Sequence, residues 1–318
     1  MGTTLTRRDV LTAGAVSVTS AVALAADPVA KPVDFGFCLN TSTVRDNGKS
    51  RPIADLIDIA SKAGYGAIEP WVSELEAYVK AGNSAKELGK RFADAGLKVP
   101  DAIGFAEWIV NDETRRKKGL EQAKRDMDLV AQVGGVRIAA PPVGATGGGS
   151  KRDDPNQSKP VTDLLAAAER YGALLELGRS MGVTPIVEVW GFSKSLSRLG
   201  ETLMVAAECG HAGGCVLPDV YHLYKGGSDF AGLHVVGAAG IGIFHVNDYP
   251  KLDRGTITDA DRVFPGDGVA PLKDVFRTLR EIGYRGFLSL ELFNRDYWKR
   301  DPHEVAKEGL QKLKKAVG

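Results

Sequence analysis

The chain has 318 residues, 43% of them hydrophobic and 25% charged, the composition of a soluble globular protein. Its formal net charge is +1 with no basic block, so nucleic acid gains no general electrostatic hold on it. The three cysteines, Cys38, Cys209 and Cys215, have no metal-ligand spacing and cannot all pair, so they read as small core residues without a disulfide framework.

Residues 1–26 read as an export signal. Arg7-Arg8 precedes a run that is uncharged from Val10 to Ala26 and closes on small residues. The paired arginines resemble the twin-arginine type, which implies a periplasmic protein exported already folded, with a metal loaded in the cytoplasm. The apolar run is shorter than the roughly 20 residues of a spanning helix, so no stable membrane anchor is expected after processing. Loss of Arg7, Arg8 and Asp9 with this segment leaves basic and acidic residues balanced in the remaining domain, 27–318.

Short β-rich runs then alternate with amphipathic segments. Val33 to Cys38 is the first expected strand, and Pro52 to Ala63 a helix stopped by Gly64. Strands are expected at Ala67 to Trp71 and Leu97 to Phe105. The helix between them, Ser84 to Ala95, opens with a Ser84/Glu87 capping pair. A charged helix from Glu113 to Val133 leads to a strand over Val136 to Val143. The polar segment Gly144 to Pro160 reads as a mobile loop and candidate lid. Helix Val161 to Met181, strand Thr184 to Trp190, helix Ser195 to Cys209 and strand Cys215 to Tyr221 follow. After a short helix over Phe230 to Ala238 come strand Ile241 to Val246 and helix Pro271 to Ile282. Strand Gly286 to Phe293 precedes a closing helix, Asp301 to Ala316, with Asp301 as N-cap and Pro302 at its first position.

Strict alternation predicts a parallel sheet covered by helices, and eight units predict a closed (β/α)8 TIM barrel in a single domain. The competing architecture is an open doubly wound sheet. Its signature is absent, because the Gly-rich string Gly237 to Gly242 precedes a strand where a dinucleotide turn would follow one.

Barrel sites lie at the C-terminal ends of the strands. The polar residues there are Glu69, Glu188, Asp219 with His222, His245 with Asn247 and Asp248, and Glu291. Glu188 and Glu291 each stand alone in an apolar run, where a carboxylate is costly unless paired or bound to a metal. Glu188, Asp219, His245 and Glu291, from four consecutive strands, form a mixed oxygen and nitrogen donor set. Such a set suits one divalent ion, Mn²⁺, Mg²⁺, Co²⁺ or Zn²⁺. Each residue taken singly is as readily a salt bridge or hydrogen bond at the barrel mouth. Trp71, Trp108 and Trp190 fall at or near strand ends, as a sugar-facing wall or as rim packing.

The pattern E…DxYH…FHVND…RxxPGDG…LELF, running from Glu188 to Glu291, resembles the xylose isomerase-like barrel superfamily, the sugar phosphate isomerase/epimerase family. The resemblance implies that Glu188, Asp219, His245 and Glu291 ligate the metal and that His222 and Arg262 contact substrate oxygens. It also implies that the two glutamates exchange a substrate proton across an enediolate. The expected function is therefore a metal-dependent isomerase or epimerase of a small sugar or polyol. A lyase or dehydratase acting on a keto-sugar or inosose with the same site, and a sugar-binding barrel without turnover, are the alternatives. Two departures stand out. Trp190-Gly191-Phe192 replaces the polar residues usual after the first glutamate, and the loop from His245 to Arg262 is long, making Arg254 a rival to Arg262. Oligomeric state stays open, a homodimer being common for such barrels.

Overall fold

A computed structural model describes residues 35–146 and 163–318. The expected export signal at 1–26 lies outside the described residues, as does most of the expected 144–160 loop. The first residues of that loop are described, and they are no part of a free lid. Ala145 and Thr146 are buried, Ser195 Oγ donates to the Ala145 carbonyl at 2.6 Å, and Lys194 N donates to the Thr146 carbonyl at 2.7 Å.

Seven strands are present among the described residues: β1 Gly36–Asn40, β2 Ala67–Glu69, β3 Arg137–Ala140, β4 Thr184–Glu188, β5 Val216–Leu217, β6 Phe244–Val246 and β7 Phe287–Leu290. All ladders are parallel, in the orders β2-β1-β7-β6 and β3-β4-β5. Isolated bridges close the ring. Val216 and Asp219 pair with Ile241 and His245 on one side, and Ile103 pairs with both Trp71 and Ala139 on the other. The expected strand over Leu97 to Phe105 thus supplies the eighth stave only through bridges at Lys98 and Ile103. Pro100, lying between them, has no N–H to give a ladder.

Ten α-helices among the described residues cover the ring: α1 Ile53–Ala63, α2 Val72–Lys80, α3 Ala85–Asp94, α4 Glu113–Gln132, α5 Leu164–Arg179, α6 Leu199–Glu208, α7 Val220–Gly226, α8 Leu233–Val236, α9 Leu272–Glu281 and α10 Pro302–Val317. The expected cap at Asp301 holds, its side chain accepting the His303 and Glu304 N–H groups; at Ser84 the side chain accepts the Glu87 N–H, one half of the expected capping pair. Two further elements differ from expectation. Helix α2 forms where no helix was expected, started by Glu74, whose carboxylate takes the Trp71 N–H at 3.0 Å. The strand expected over Cys215 to Tyr221 stops at Leu217. Pro218 ends it, and Asp219 caps α7 by accepting the His222 N–H at 2.8 Å.

Alternation along each strand sets up the site. Outward-facing Val187, Val216, Phe244, Val246, Leu288 and Leu290 join the large core beneath the helices. Inward-facing Ile103, Ala139, Ile186, Leu217 and Ile243 form a small core inside the ring. A period of two then carries Glu188, Asp219, His245 and Glu291 inward, one pleat beyond this plug. The three cysteines are buried and free, and no helix of the described residues is long and apolar enough to cross a membrane.

Candidate metal and proton-transfer site

At the C-terminal mouth of the ring a cavity of about 240 Å³ is lined by Glu188, His222, Asp259, Arg262 and Glu291. Its walls are Trp71, Ile103, Phe105, Trp190, Phe192 and Phe293, with Arg45 at one edge. The rings form a chain: Trp71 meets Phe105 at 5.0 Å and Phe293 at 6.1 Å between centroids, and Trp190 meets Phe192 at 4.8 Å. The Arg45 guanidinium lies 4.1 Å over the Trp71 ring.

Asp219, His245 and Glu291 each offer a buried ligand atom, all within 4.8 Å of one another. His245 Nδ1 lies 3.2 Å from Glu291 Oε2 and 3.8 Å from Asp219 Oδ2, yet makes no well-directed hydrogen bond. A fully buried ring nitrogen without a partner costs free energy, and a metal bond would satisfy it. Two carboxylate oxygens beside it complete a donor set suited to a borderline divalent ion. These residues fit the ion. Glu188 lines the same cavity and stands further out, its Oε1 4.0 Å from His222 Nε2.

Arg262 is fully buried, reaching inward from the loop after β6. Its Nη1 donates to Glu291 Oε2 at 2.8 Å and Asp219 Oδ2 at 3.1 Å, and Nη2 to Asp259 Oδ1 at 2.6 Å. The guanidinium therefore draws on the two oxygens that a cation would use. Asp248 anchors this loop, accepting N–H bonds from Tyr249, Gly266 and Ala270. Gly268 packs so close that a Cβ would stand 2.3 Å from Asp248 Oδ1. Asn247 sets Asp219, donating to its Oδ2 at 2.8 Å while accepting the Tyr221 N–H.

Gly191 explains the departure after Glu188. Its N–H bonds His222 Nδ1 at 3.2 Å, and a Cβ there would lie 2.4 Å from the His222 carbonyl. The loop is held by a Trp190 N–H bond to Leu196, a buried residue whose φ of 58° is left-handed and strained.

The electrostatics split the carboxyls. Burial, then the neighbouring Glu291 charge, pushes Glu188 well above the usual range. Burial also raises Glu291, but the adjacent His245 and Arg262 outweigh it and hold this group well below. Burial raises Asp219 despite Arg262. His222 is driven well down, by burial first and then by Arg262, and so stays neutral. Burial opposes charge on His245 too, yet Glu69 and Glu291 overcome it and raise the imidazole well above its usual value.

Two expectations require correction. Trp108 is a packing residue: its indole N–H donates to the Ala140 and Pro141 carbonyls, and its ring meets Tyr171 at 5.8 Å in the core. Arg254 is no rival to Arg262, because it lies 5.1 Å over Tyr224, which stacks on Tyr249. Trp190 does line the cavity. Phe105, Phe192, Phe293 and Arg45 were not anticipated, since nothing in their local pattern separates them from loop or core residues.

The inosose isomerase of Bacillus velezensis is 25% identical over 284 residues, covering 88% of this chain and 96% of that protein. The inosose isomerase of Halalkalibacterium halodurans is 26% identical over 85% of this chain and 92% of its own. Among solved structures, the IolI protein with a bound zinc atom superposes with a TM-score of 0.78 at 22% identity, covering 89% of this chain and 98% of that one. A model of the xylose isomerase-like TIM barrel matches residues 57–316, and the chain belongs to that family.

Proposed function

We propose that this protein is a divalent-metal-dependent isomerase or epimerase of a ring-sized polyhydroxylated ketone, of the inosose or keto-sugar class. One observation carries the reading: an aromatic-walled cavity has buried Asp219, His245 and Glu291 ligand atoms within 4.8 Å of each other, with Glu188 facing them. The similarity to inosose isomerases over most of both chains points to the same substrate class. An ion held by Glu188, Asp219, His245 and Glu291 would polarise the substrate carbonyl and acidify the neighbouring C–H.

The chain's own groups divide the proton work. In the metal-free site Glu291 is held ionised and Glu188 is biased toward its acid form; with the ion bound, Glu291 would accept a proton from one face and Glu188 would deliver one from the other. With the Gly191 N–H on Nδ1, the neutral His222 ring carries its proton on Nε2, 3.1 Å from Arg262 Nη2. Two donors then face each other, and a substrate oxygen accepting from both would relieve the contact. Developing enediolate charge would gain from the same pair. The aromatic wall offers flat surface to the C–H face of a ring and excludes water. The acid bias of Glu188 also suits protonation of a departing β-hydroxyl, which is the dehydratase variant of the same chemistry.

Incubation of metal-loaded protein with a panel of inososes and keto-sugars, followed by NMR, tests the proposal. Interconversion of at least one compound, abolished by a chelator, is expected. Metal bound at the site with no compound changed would leave a binding barrel instead. We also propose export directed by residues 1–26, which rests on Arg7-Arg8 and the uncharged run after them. N-terminal sequencing of cell fractions should find a periplasmic chain starting near Asp27; full-length protein confined to the cytoplasm would refute export.

A further inference from the structure

Behind His245, on the side away from the cavity, lies a second set of buried polar groups. Glu69 Oε1 stands 2.9 Å from His245 Nε2, and Ser289 Oγ and Asn40 Nδ2 donate to its other oxygen at 2.6 and 2.7 Å. All four residues are fully buried. Asn40 Nδ2 also reaches Glu291 Oε1 at 3.2 Å, and its Oδ1 accepts from the Trp71 indole at 3.3 Å. Asp101 completes the cluster, with ligand atoms of Glu69, Asp101 and His245 within 4.8 Å of one another. A carboxylate whose two oxygens are spoken for by three donors has one geometry open to it. It accepts the Nε2 proton and thereby leaves Nδ1, on the other edge of the ring and aimed at Asp219 and Glu291, as the nitrogen that can give up its proton to an ion.

We propose that Glu69 is the positioning residue for the metal-ligating His245, fixing its tautomer and ring plane so that Nδ1, not Nε2, is presented to the ion. A histidine ligand commonly gives its second N–H to a carboxylate, and loss of such a partner costs about 10–100-fold in metal affinity. Strand register brings this about: Asn40 pairs with Glu69 across β1 and β2, and His245 pairs with Ser289 across β6 and β7. The inference rests on reading Asp219, His245 and Glu291 as metal ligands.

Asp101 bears on what kind of cluster this is. Neither of its carboxyl oxygens has a donor, and burial, then the Glu69 charge, pushes it well up. In its acid form it gives Glu69 one more hydrogen bond, and the cluster then needs no ion of its own.

Co²⁺ binding followed by calorimetry and by the visible d–d spectrum separates the possibilities, with folding checked by circular dichroism. Wild type should bind one Co²⁺. If it binds none, the ligand reading itself fails, and the role of Glu69 falls with it. Given one bound ion, Glu69→Leu should lose about 10–100-fold in affinity with an altered d–d spectrum. Glu69→Gln, which keeps an acceptor for the Nε2 proton, should lose less and keep the wild-type spectrum. Wild-type affinity and spectrum in Glu69→Leu would overturn the proposal. Should Glu69→Leu not fold, equal loss in Glu69→Gln and in a folded Glu69→Ala would likewise overturn it, because retention of the acceptor would then count for nothing. Asp101→Asn, which keeps a donor toward Glu69, should leave one ion bound at wild-type affinity. A second Co²⁺ in wild type that Asp101→Asn removes would make the cluster a cation site and refute the positioning role.

Discussion

Glu188 and Glu291 face one cavity, and in the metal-free site burial and the Glu291 charge push the first carboxyl up while His245 and Arg262 hold the second down. Glu188→Gln keeps the shape of the side chain but cannot pass a proton, so at saturating metal kcat should fall about 10²–10⁴-fold with little change in KM. Steady-state kinetics on any substrate that turns over checks this. His245 gives a second consequence at the same scale. Its imidazole is raised well above the usual value in the metal-free protein and must lose the Nδ1 proton to bind an ion. The metal-free state therefore holds the extra proton, and apparent metal affinity must fall as pH drops below the raised pKa, by about tenfold per unit for one proton. Calorimetry in buffers of different ionisation heat should show proton release on binding; pH-independent affinity would contradict it. Glu188, Asp219, His245 and Glu291 were legible because lone polar residues interrupt apolar runs at inward parity. Glu69 was visible only as a polar strand end, since His245, its partner, lies 176 residues away in the chain. Asp101 falls within the expected strand Leu97 to Phe105, and nothing local marks it as a partner of Glu69.

The element that matters most is the loop after β6, which carries Arg262 inward from outside the ring. Asp248, at its start, holds its far end through Gly266 and Ala270 and through an antiparallel bridge to Val263. Asp248→Ala leaves these amides without their acceptor and should destabilise the fold by about 1–3 kcal/mol. Because Arg262 is positioned by this loop, KM should rise as well. Urea unfolding and kinetics together test the claim, and unchanged values in both would remove Asp248 as the anchor. The sequence marked this loop by its Pro-Gly-Asp-Gly turn, but misjudged the element before it. Val220 to Leu223 is apolar enough to extend a strand, and the Pro218-Asp219 stop and cap decide for a helix. That turn places His222 over the cavity. Helix α2 was missed for a similar reason: its start depends on Thr41 and Trp71 meeting Glu74, a contact made only in the fold.

For the whole molecule, the alternation of strand and helix was enough to specify a closed ring, because eight parallel β/α units have few other ways to bury both faces. The imperfect stave at 97–103 shows where one proline limits that pattern. Binding an ion among staves β4 to β7 ties together strands that are far apart in sequence. Metal at about 100 times its Kd should add about 2.7 kcal/mol, or roughly 4–5 °C in Tm for a domain of this size. Differential scanning fluorimetry with and without chelator reads it, and His245→Ala should abolish the shift.

The central claim is that Glu188 and Glu291 move a proton on a carbon next to a carbonyl, and deuterium wash-in tests it most directly. Metal-loaded protein held with an inosose or keto-sugar in D₂O should introduce deuterium at the carbon beside the carbonyl, detectable by NMR even where net conversion is small. Chelated protein should introduce none, nor should Glu291→Gln, which lacks the base that takes the proton. A ligand that binds tightly to the metal-loaded wild type and acquires no deuterium would contradict the account.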